Sequence, residues 1–172
     1  MNILNIEIKA SCNNPEIIEE ILLKNNAKYI GEDHQIDTYF TTEKGRLKLR
    51  EGKIENSLIL YNRIETKGLK KSEVILYKPN ENIKSLKQIL ENTLKVWIIV
   101  DKTRKIFFIE NVKFHIDKVK NLGSFIEIEA IDSSGSIGEE KLRKQCNKYI
   151  DLLKVDSSNF IDKSYSDLIS LK

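Results

Sequence analysis

Several stretches of this chain alternate apolar with charged residues, and within a stretch the charges carry one sign. Arg46-Leu-Lys48-Leu-Arg50 sets three bases against two leucines, and Phe125-Ile-Glu127-Ile-Glu129 sets two acids against two isoleucines. Successive residues of a strand point to opposite faces, so each stretch reads as a strand with one apolar and one ionic face. Elsewhere Asn5, Glu7 and Lys9 oppose Ile6 and Ile8, while Ile59, Tyr61 and Arg63 oppose Leu58 and Leu60. Lys102 and Arg104 share a face, as do His115 and Asp117.

Strand patterns are predicted at 3–10, 35–41, 46–51, 57–66, 73–78, 96–102, 104–110, 112–118 and 124–131. Turn signals at Glu43-Lys44-Gly45, Glu51-Gly52-Lys53 and Lys67-Gly68 separate several of them. Helical periodicity runs from Asn13 or Asn14, as cap, to about Asn26 through Ile17, Ile18, Ile21 and Leu22, with Pro15 suited to the first turn. Two further amphipathic helices are predicted at 81–95 and 138–153, the latter carrying Leu142, Cys146, Tyr149 and Ile150, and a short one near Tyr165–Leu171. Antiparallel strands in runs, interrupted by helices, define an α+β fold. So many strands in one small domain are consistent with a closed barrel, which leaves no exposed edge. Nothing marks a domain boundary, and residues 1–172 are expected to form a single domain.

The plain reading of such strands is a core face and a solvated face. Two features favour another. Like charges in register repel, and a wet surface gains little from them. Three amphipathic helices also need apolar sheet to cover. If they wrap the outside of a barrel, the ionic faces line its interior. Unpaired charges removed from water are costly, and a polyphosphate with divalent cations would compensate both signs at once.

Composition narrows the classes. Charged residues are 32% of the chain, above the ~25% usual in globular domains, yet 29 Lys+Arg face 26 Asp+Glu, a net charge of +3. That balance does not suit a nucleic-acid binder relying on a broad basic surface. No apolar run approaches the ~20 residues of a membrane span, and the start of the chain reads as a strand rather than a leader, so a cytoplasmic protein is expected. Cys12 and Cys146 have no metal-ligand spacing and read as reduced thiols. His34 and His115 lie in no zinc or triad motif and are expected in structural or site-edge roles. Trp97 is expected in the core. The Lys67–Lys71 run is expected at a solvated hairpin tip or sweeping over a tunnel mouth. Neither a P-loop nor a dinucleotide fingerprint occurs.

Asn5-Ile-Glu7-Ile-Lys9 resembles the ExExK signature of CYTH proteins, the triphosphate tunnel family that includes class IV adenylate cyclases and thiamine or inorganic triphosphatases. The resemblance continues through Gln35-Ile-Asp37-Thr-Tyr39-Phe40, Gly45-Arg-Leu-Lys-Leu-Arg50, Tyr61-Asn-Arg63, Lys102-Thr-Arg104, Phe114-His-Ile-Asp117, Leu122–Glu129 and Ser164-Tyr165-Ser-Asp-Leu-Ile. It implies an eight-stranded antiparallel tunnel with helices outside. It also implies Glu7, Glu127 and Glu129 as ligands of Mg²⁺ or Mn²⁺, with Asp117 joining them or orienting a bound water. Lys9, Lys48, Arg50, Arg63, Lys102 and Arg104 would grip the phosphates, with Arg46 in register toward the mouth. Glu7, Lys9, Asp117 and Glu127 would carry the chemistry.

The first acid of the signature is Asn5 here, which keeps an oxygen donor and loses a charge. The branch resembled most is the cyclase-like one, converting ATP to cyclic AMP and pyrophosphate. Hydrolysis of inorganic or thiamine triphosphate is the enzymatic alternative, and a non-catalytic nucleotide or polyphosphate-binding module the other. Family members are often dimers, so a homodimer is among the expected partners, with no nucleic acid or membrane.

Overall fold

The computed structural model describes residues 3–64, 68–79 and 83–172, without the side chains of Arg63 and Ile64. Eight strands close into one antiparallel barrel: β1 (Ile3–Ser11), β2 (Lys28–Phe40), β3 (Arg46–Glu51), β4 (Ser57–Ile64), β5 (Lys70–Tyr77), β6 (Val96–Ile109), β7 (Val112–Val119) and β8 (Gly123–Asp132). Around the wall their order is β1-β5-β4-β3-β2-β6-β7-β8, returning to β1. Helices α1 (Pro15–Lys24), α2 (Ile83–Thr93), α3 (Glu139–Leu152) and α4 (Tyr165–Ser170) complete the chain.

The apolar strand faces point outward, under the helices. Ile6, Ile8, Phe114, Ile116, Ile126 and Ile128 pack with Ile18 and Leu22 of α1 and Leu142, Cys146 and Tyr149 of α3. The spacing i, i+4, i+7 on α3 produces that stripe. Phe114 meets Tyr149 edge-on at 4.9 Å between ring centroids. Burying each large apolar side chain contributes roughly 1.5–3 kcal/mol, so the sleeve between barrel and helices holds most of the stability. Helix α2 covers β2 and β3 through Leu90, which packs with Phe40 and Leu49.

The two ends differ. At the end where β1 finishes, the C-terminal segment closes the barrel. Phe160 bridges to Ala10, the Ile161 amide donates to the Lys9 carbonyl at 2.9 Å, and α4 follows. Its capping box joins Ser164 and Asp167. Arg46 donates to Ser164 at 2.9 Å and Asp167 at 2.8 Å and pins it there. The central cavity reaches the opposite end, which among the described residues is the open one, lined by Ile3, Ile54, Asn56 and Ile131.

Several sequence expectations need correction. Residues 96–110 do not divide into two strands: β6 runs unbroken, because Lys102 and Arg104 face a charged interior that welcomes them. Strand β2 begins at Lys28, before the predicted 35, with a register shift at Tyr29/Gly31, where Gly31 has φ +147°. The Lys67–Lys71 run is not a solvated tip. Lys70 is 1% exposed and donates to the Ile161 and Asp162 carbonyls, and Lys71 pairs with Glu139 at 2.8 Å; Lys67 lies outside the described residues. Trp97 is not core: it is 41% exposed at the register shift between β2 and β6, with Arg46 over its ring and Tyr39 edge-on to it. The strand expected over 57–66 is described to Ile64, and 65–66 lie outside the described residues. Both cysteines are free. No helix among the described residues is long and apolar enough to cross a membrane.

Candidate active site

The barrel encloses a cavity of about 310 Å³ lined by inward residues of all eight strands. Strand β1 contributes Asn5, Glu7 and Lys9, β2 Asp37 and Tyr39, and β3 Lys48 and Arg50. Tyr61 comes from β4, Ser72 from β5, Lys102 and Arg104 from β6, Lys113 and His115 from β7, and Glu127 and Glu129 from β8. Each sits there because its strand neighbours are the apolar residues under the helices. Among the described residues, seven basic and five acidic side chains line the space.

Asp37 is the hub of the basic band. Arg50 grips it through Nε and Nη2, both at 2.8 Å, Lys48 at 3.1 Å and Lys102 at 2.7 Å. Burial pushes the Asp37 carboxyl up, but Arg50, Lys102 and Lys48 together hold it well below the usual carboxylate range. For Lys102 the balance is reversed. Burial and then Arg50 outweigh its bond to Asp37, with Arg104 and Lys48 adding to them, and its ammonium is pushed down to about 7. One acid among four bases cannot satisfy them all.

A second network lies toward the closed end. Arg104 donates to Asp117 at 2.6 and 2.5 Å, and to Glu127 at 2.7 Å. Lys9 reaches the other Glu127 oxygen at 3.1 Å and sits 3.9 Å above the Tyr165 ring. Tyr165 donates to Asp117 at 2.8 Å. His115 places Nδ1 3.2 Å from Glu127. Burial, then Arg104 and Lys113, push its imidazole down to about 3, so the neutral ring donates from Nδ1 and Nε2 holds a lone pair. Among the described residues no hydrogen-bond partner meets that Nε2.

Beside these networks is an acidic corner. Glu7 and Glu129 stand directly opposite on β1 and β8. The Asn5 amide nitrogen donates to Glu129, while the Asn5 carbonyl oxygen and the Ser72 hydroxyl, opposite each other across β1 and β5, are buried with no hydrogen-bond partner among the described residues. Burial pushes the Glu129 carboxyl up against the pull of Lys113. Among the described residues no three His, Cys, Asp or Glu side chains converge as an ion cage; Glu127 is turned onto Lys9 and Arg104 instead. An orphaned amide oxygen beside two hard carboxylates, one of them short of positive charge, is nonetheless a donor set that suits a divalent cation.

Of the residues singled out in the sequence, Glu7, Lys9, Lys48, Arg50, Lys102, Arg104, Glu127 and Glu129 all line the cavity. Asp117 is buried behind Arg104 and Tyr165. Arg46 lies at the closed end, engaged with α4. The Arg63 side chain lies outside the described residues, though its backbone pairs with Ser72. His115, expected at most at the site's edge, faces the cavity. Sequence reasoning assigned no role to Asp37, Glu55, Lys113 or Tyr165; parity was the available signal for the two strand residues Asp37 and Lys113 and the closing motif for Tyr165, while Glu55, in the connection between β3 and β4, carried none.

A closed eight-stranded barrel with an ionic lumen and helices outside defines a triphosphate tunnel architecture. The CYTH domain model matches residues 4–165, and the chain belongs to that family. Proteins of this family are generally enzymes that act on triphosphates with divalent metals. A Methanocaldococcus jannaschii protein named "Putative adenylate cyclase MJ0240" is 26% identical, covering 98% of this chain and 99% of its own. The structure of the Pyrococcus horikoshii PH1012 protein superposes with a TM-score of 0.78 at 22% identity, covering 95% of this chain and 98% of that one. A Hippeastrum protein, whose structure is described as a "putative adenylyl cyclase" that "reveals a dominant" triphosphatase activity, gives 0.61 at 12% identity over 98% of this chain and 94% of that one.

Proposed function

We propose that this chain converts ATP to cyclic AMP and pyrophosphate inside its tunnel, with Mg²⁺ or Mn²⁺. The observation that carries the reading is the juxtaposition in one lumen of a basic band, Lys48, Arg50, Lys102 and Arg104, with an acidic corner, Glu7 and Glu129. Phosphoryl and nucleotidyl transfer need little covalent help from the protein and much charge stabilisation. The basic band would hold the β- and γ-phosphates and absorb the charge that grows on the departing pyrophosphate. Asp117, from behind, would orient Arg104 toward the triphosphate, which Lys9 would also reach. Charge-assisted bonds of this kind contribute about 1.5–3 kcal/mol each.

Glu7, Glu129 and the Asn5 carbonyl, with Glu127 once a substrate has drawn off its cations, would hold the metal. When bound, it supplies charge neutralisation and polarisation of phosphate oxygens. Asn5 in place of an acid lowers the charge of that corner by one. Replacing Asn5→Glu is therefore expected to tighten Mn²⁺ binding about tenfold, since ligand charge tunes affinity for hard cations; the titration can be read by calorimetry without substrate.

The cyclase reading over simple hydrolysis is supported by the name of the M. jannaschii relative and by the branch resemblance of residues 35–40. Hydrolysis of a triphosphate is the second reading, favoured by the activity described for the Hippeastrum protein. Incubation with ATP, inorganic triphosphate and thiamine triphosphate, with each metal in turn, separates them. Cyclic AMP with pyrophosphate is the expected result. Orthophosphate without cyclic AMP would replace it with the triphosphatase reading, and tight binding without product would remove the enzyme reading altogether.

A further inference from the structure

Two carboxylates stand among the bases of the lumen, and they are tethered differently. Asp37 is in the middle of β2, paired with β3 on one side and β6 on the other, and its side chain is 1% exposed. It has nowhere to go. Glu55 belongs to the short connection between β3 and β4 at the open end, and its side chain is 19% exposed.

The backbone of that connection is firmly placed. Asp33 accepts the amides of Lys53 at 2.7 Å, Ile54 at 3.2 Å and Glu55 at 3.1 Å. Gly52 passes so close that a β-carbon there would lie 2.4 Å from Asp33 Oδ2, and one at Gly31 would lie 2.7 Å from Ile54 Cδ1. From this fixed root the Glu55 side chain enters the lumen. It accepts from Arg50 Nη1 at 3.1 Å, from Gln35 Nε2 at 3.0 Å and from Lys113. An acid at the mouth thus bridges Lys113 and the one Arg50 nitrogen, Nη1, that does not bond Asp37.

We propose that Glu55 is an internal stand-in for a phosphate group, holding Arg50 and Lys113 in the empty tunnel until a polyphosphate takes both from it. This rests on the triphosphate reading of the lumen and adds a selectivity element to it. Asp37 remains as the fixed organiser of Lys48, Arg50 and Lys102. Glu55 swings toward solvent because only its side chain need move. A ligand must bring enough negative charge to replace it. A chain of three phosphates does so while also reaching Lys48 and Lys102; a single orthophosphate gains too little. Glu55 therefore weakens all anions and weakens short ones most, which is discrimination by an opposing element rather than by an added contact.

The test is calorimetric titration of inorganic triphosphate and of orthophosphate into the full chain in EDTA. It compares the wild type with Glu55→Gln, Glu55→Ala and Glu51→Gln. Glu51 removes the same charge from the barrel exterior, where it pairs with Lys87 at 2.7 Å. Both Glu55 variants are expected to bind triphosphate about tenfold more tightly, because a charge a few ångströms from a polyanion has gone. Orthophosphate, expected to give no measurable binding to the wild type, is expected to bind both Glu55 variants measurably. Glu51→Gln should change affinity less than about twofold, since that charge is paired with Lys87 on the far side of the wall. In turnover, the Glu55 variants should lower KM with kcat nearly unchanged. A folded Glu55 variant with equal or weaker triphosphate binding overturns the proposal, and so does an equal gain in Glu51→Gln, which would reduce the effect to net charge. A wild type that binds triphosphate neither in EDTA nor with Mn²⁺ would overturn the tunnel's functional reading instead.

Discussion

On β1, Ile6 and Ile8 face α3 while Glu7 and Lys9, one residue away, face the ionic cavity. The same alternation repeats on β3, β7 and β8, so sleeve and lumen are two sides of one sheet held to opposite rules. In the sleeve, apolar side chains interlock and every lost methylene leaves a void. In the lumen, groups of opposite sign crowd together with buried polar atoms unsatisfied, which no core would retain for stability alone. The difference teaches that this molecule keeps its folding energy outside the barrel and its chemistry within. A barrel can carry such an interior because backbone bonding around the closed wall does not depend on what fills it.

That division can be broken by experiment. The largest expected effect belongs to the sleeve. Leu142, fully buried, is expected to cost about 3–5 kcal/mol as Leu142→Ala, read by denaturant unfolding, with triphosphate affinity unchanged in the fraction that folds. Inside, Lys102→Ala removes a grip on phosphate while Asp37 keeps Arg50 and Lys48. Triphosphate binding should fall about 10- to 100-fold, and stability should move by no more than about 1 kcal/mol because the lost bond is offset by relief of crowded like charges. A lumen variant that unfolds the chain, or a sleeve variant that spoils binding selectively, would dissolve the distinction.

A finer prediction follows from the Lys102 ammonium, held down at about 7 by burial and by Arg50. An anionic ligand raises that value again. At pH 8 the empty tunnel therefore holds a largely neutral Lys102, and triphosphate binding takes up close to one proton. Titrations in buffers of differing ionisation enthalpy measure the uptake, and Lys102→Arg should abolish it.

The smallest effect lies outside both regions. Asp132 accepts the amides of Ser134, Gly135, Ser136, Ile137 and Gly138, and these, Gly138 foremost, lower its carboxyl to about 2. The folded value lies below the ordinary one near 3.9. Its contribution is therefore complete above about pH 4 and is lost as pH falls toward 2. Asp132→Asn should remove that window from the acid-unfolding curve and leave triphosphate binding alone.

Much of this division was legible in the chain. Strand parity placed Asn5, Glu7, Lys9, Lys48, Arg50, Lys102, Arg104, Glu127 and Glu129 on common faces, and helical stripes demanded apolar wall to cover. What escaped had physical reasons. The strands expected at 96–102 and 104–110 are one, since Lys102 and Arg104 are ordinary for a strand whose inner face is ionic. Lys70 belonged to a basic run that resembled a solvated tip, although it shares parity with Ser72 and Val74. Asp37 shares parity with Tyr39, but a single acid among neutral neighbours carries no repeating signal. Glu55 lies in a turn, where no periodicity exists and only three-dimensional packing against Asp33 determines its direction.

The central claim is tested most directly by a crystal structure with a non-hydrolysable ATP analogue and Mn²⁺. The triphosphate is expected inside the barrel against Lys48, Arg50, Lys102 and Arg104, with manganese anomalous signal beside Glu7 and Glu129. A triphosphate bound on the outer surface, with Asp37 and Asp117 still holding those bases and the lumen unchanged, would contradict it.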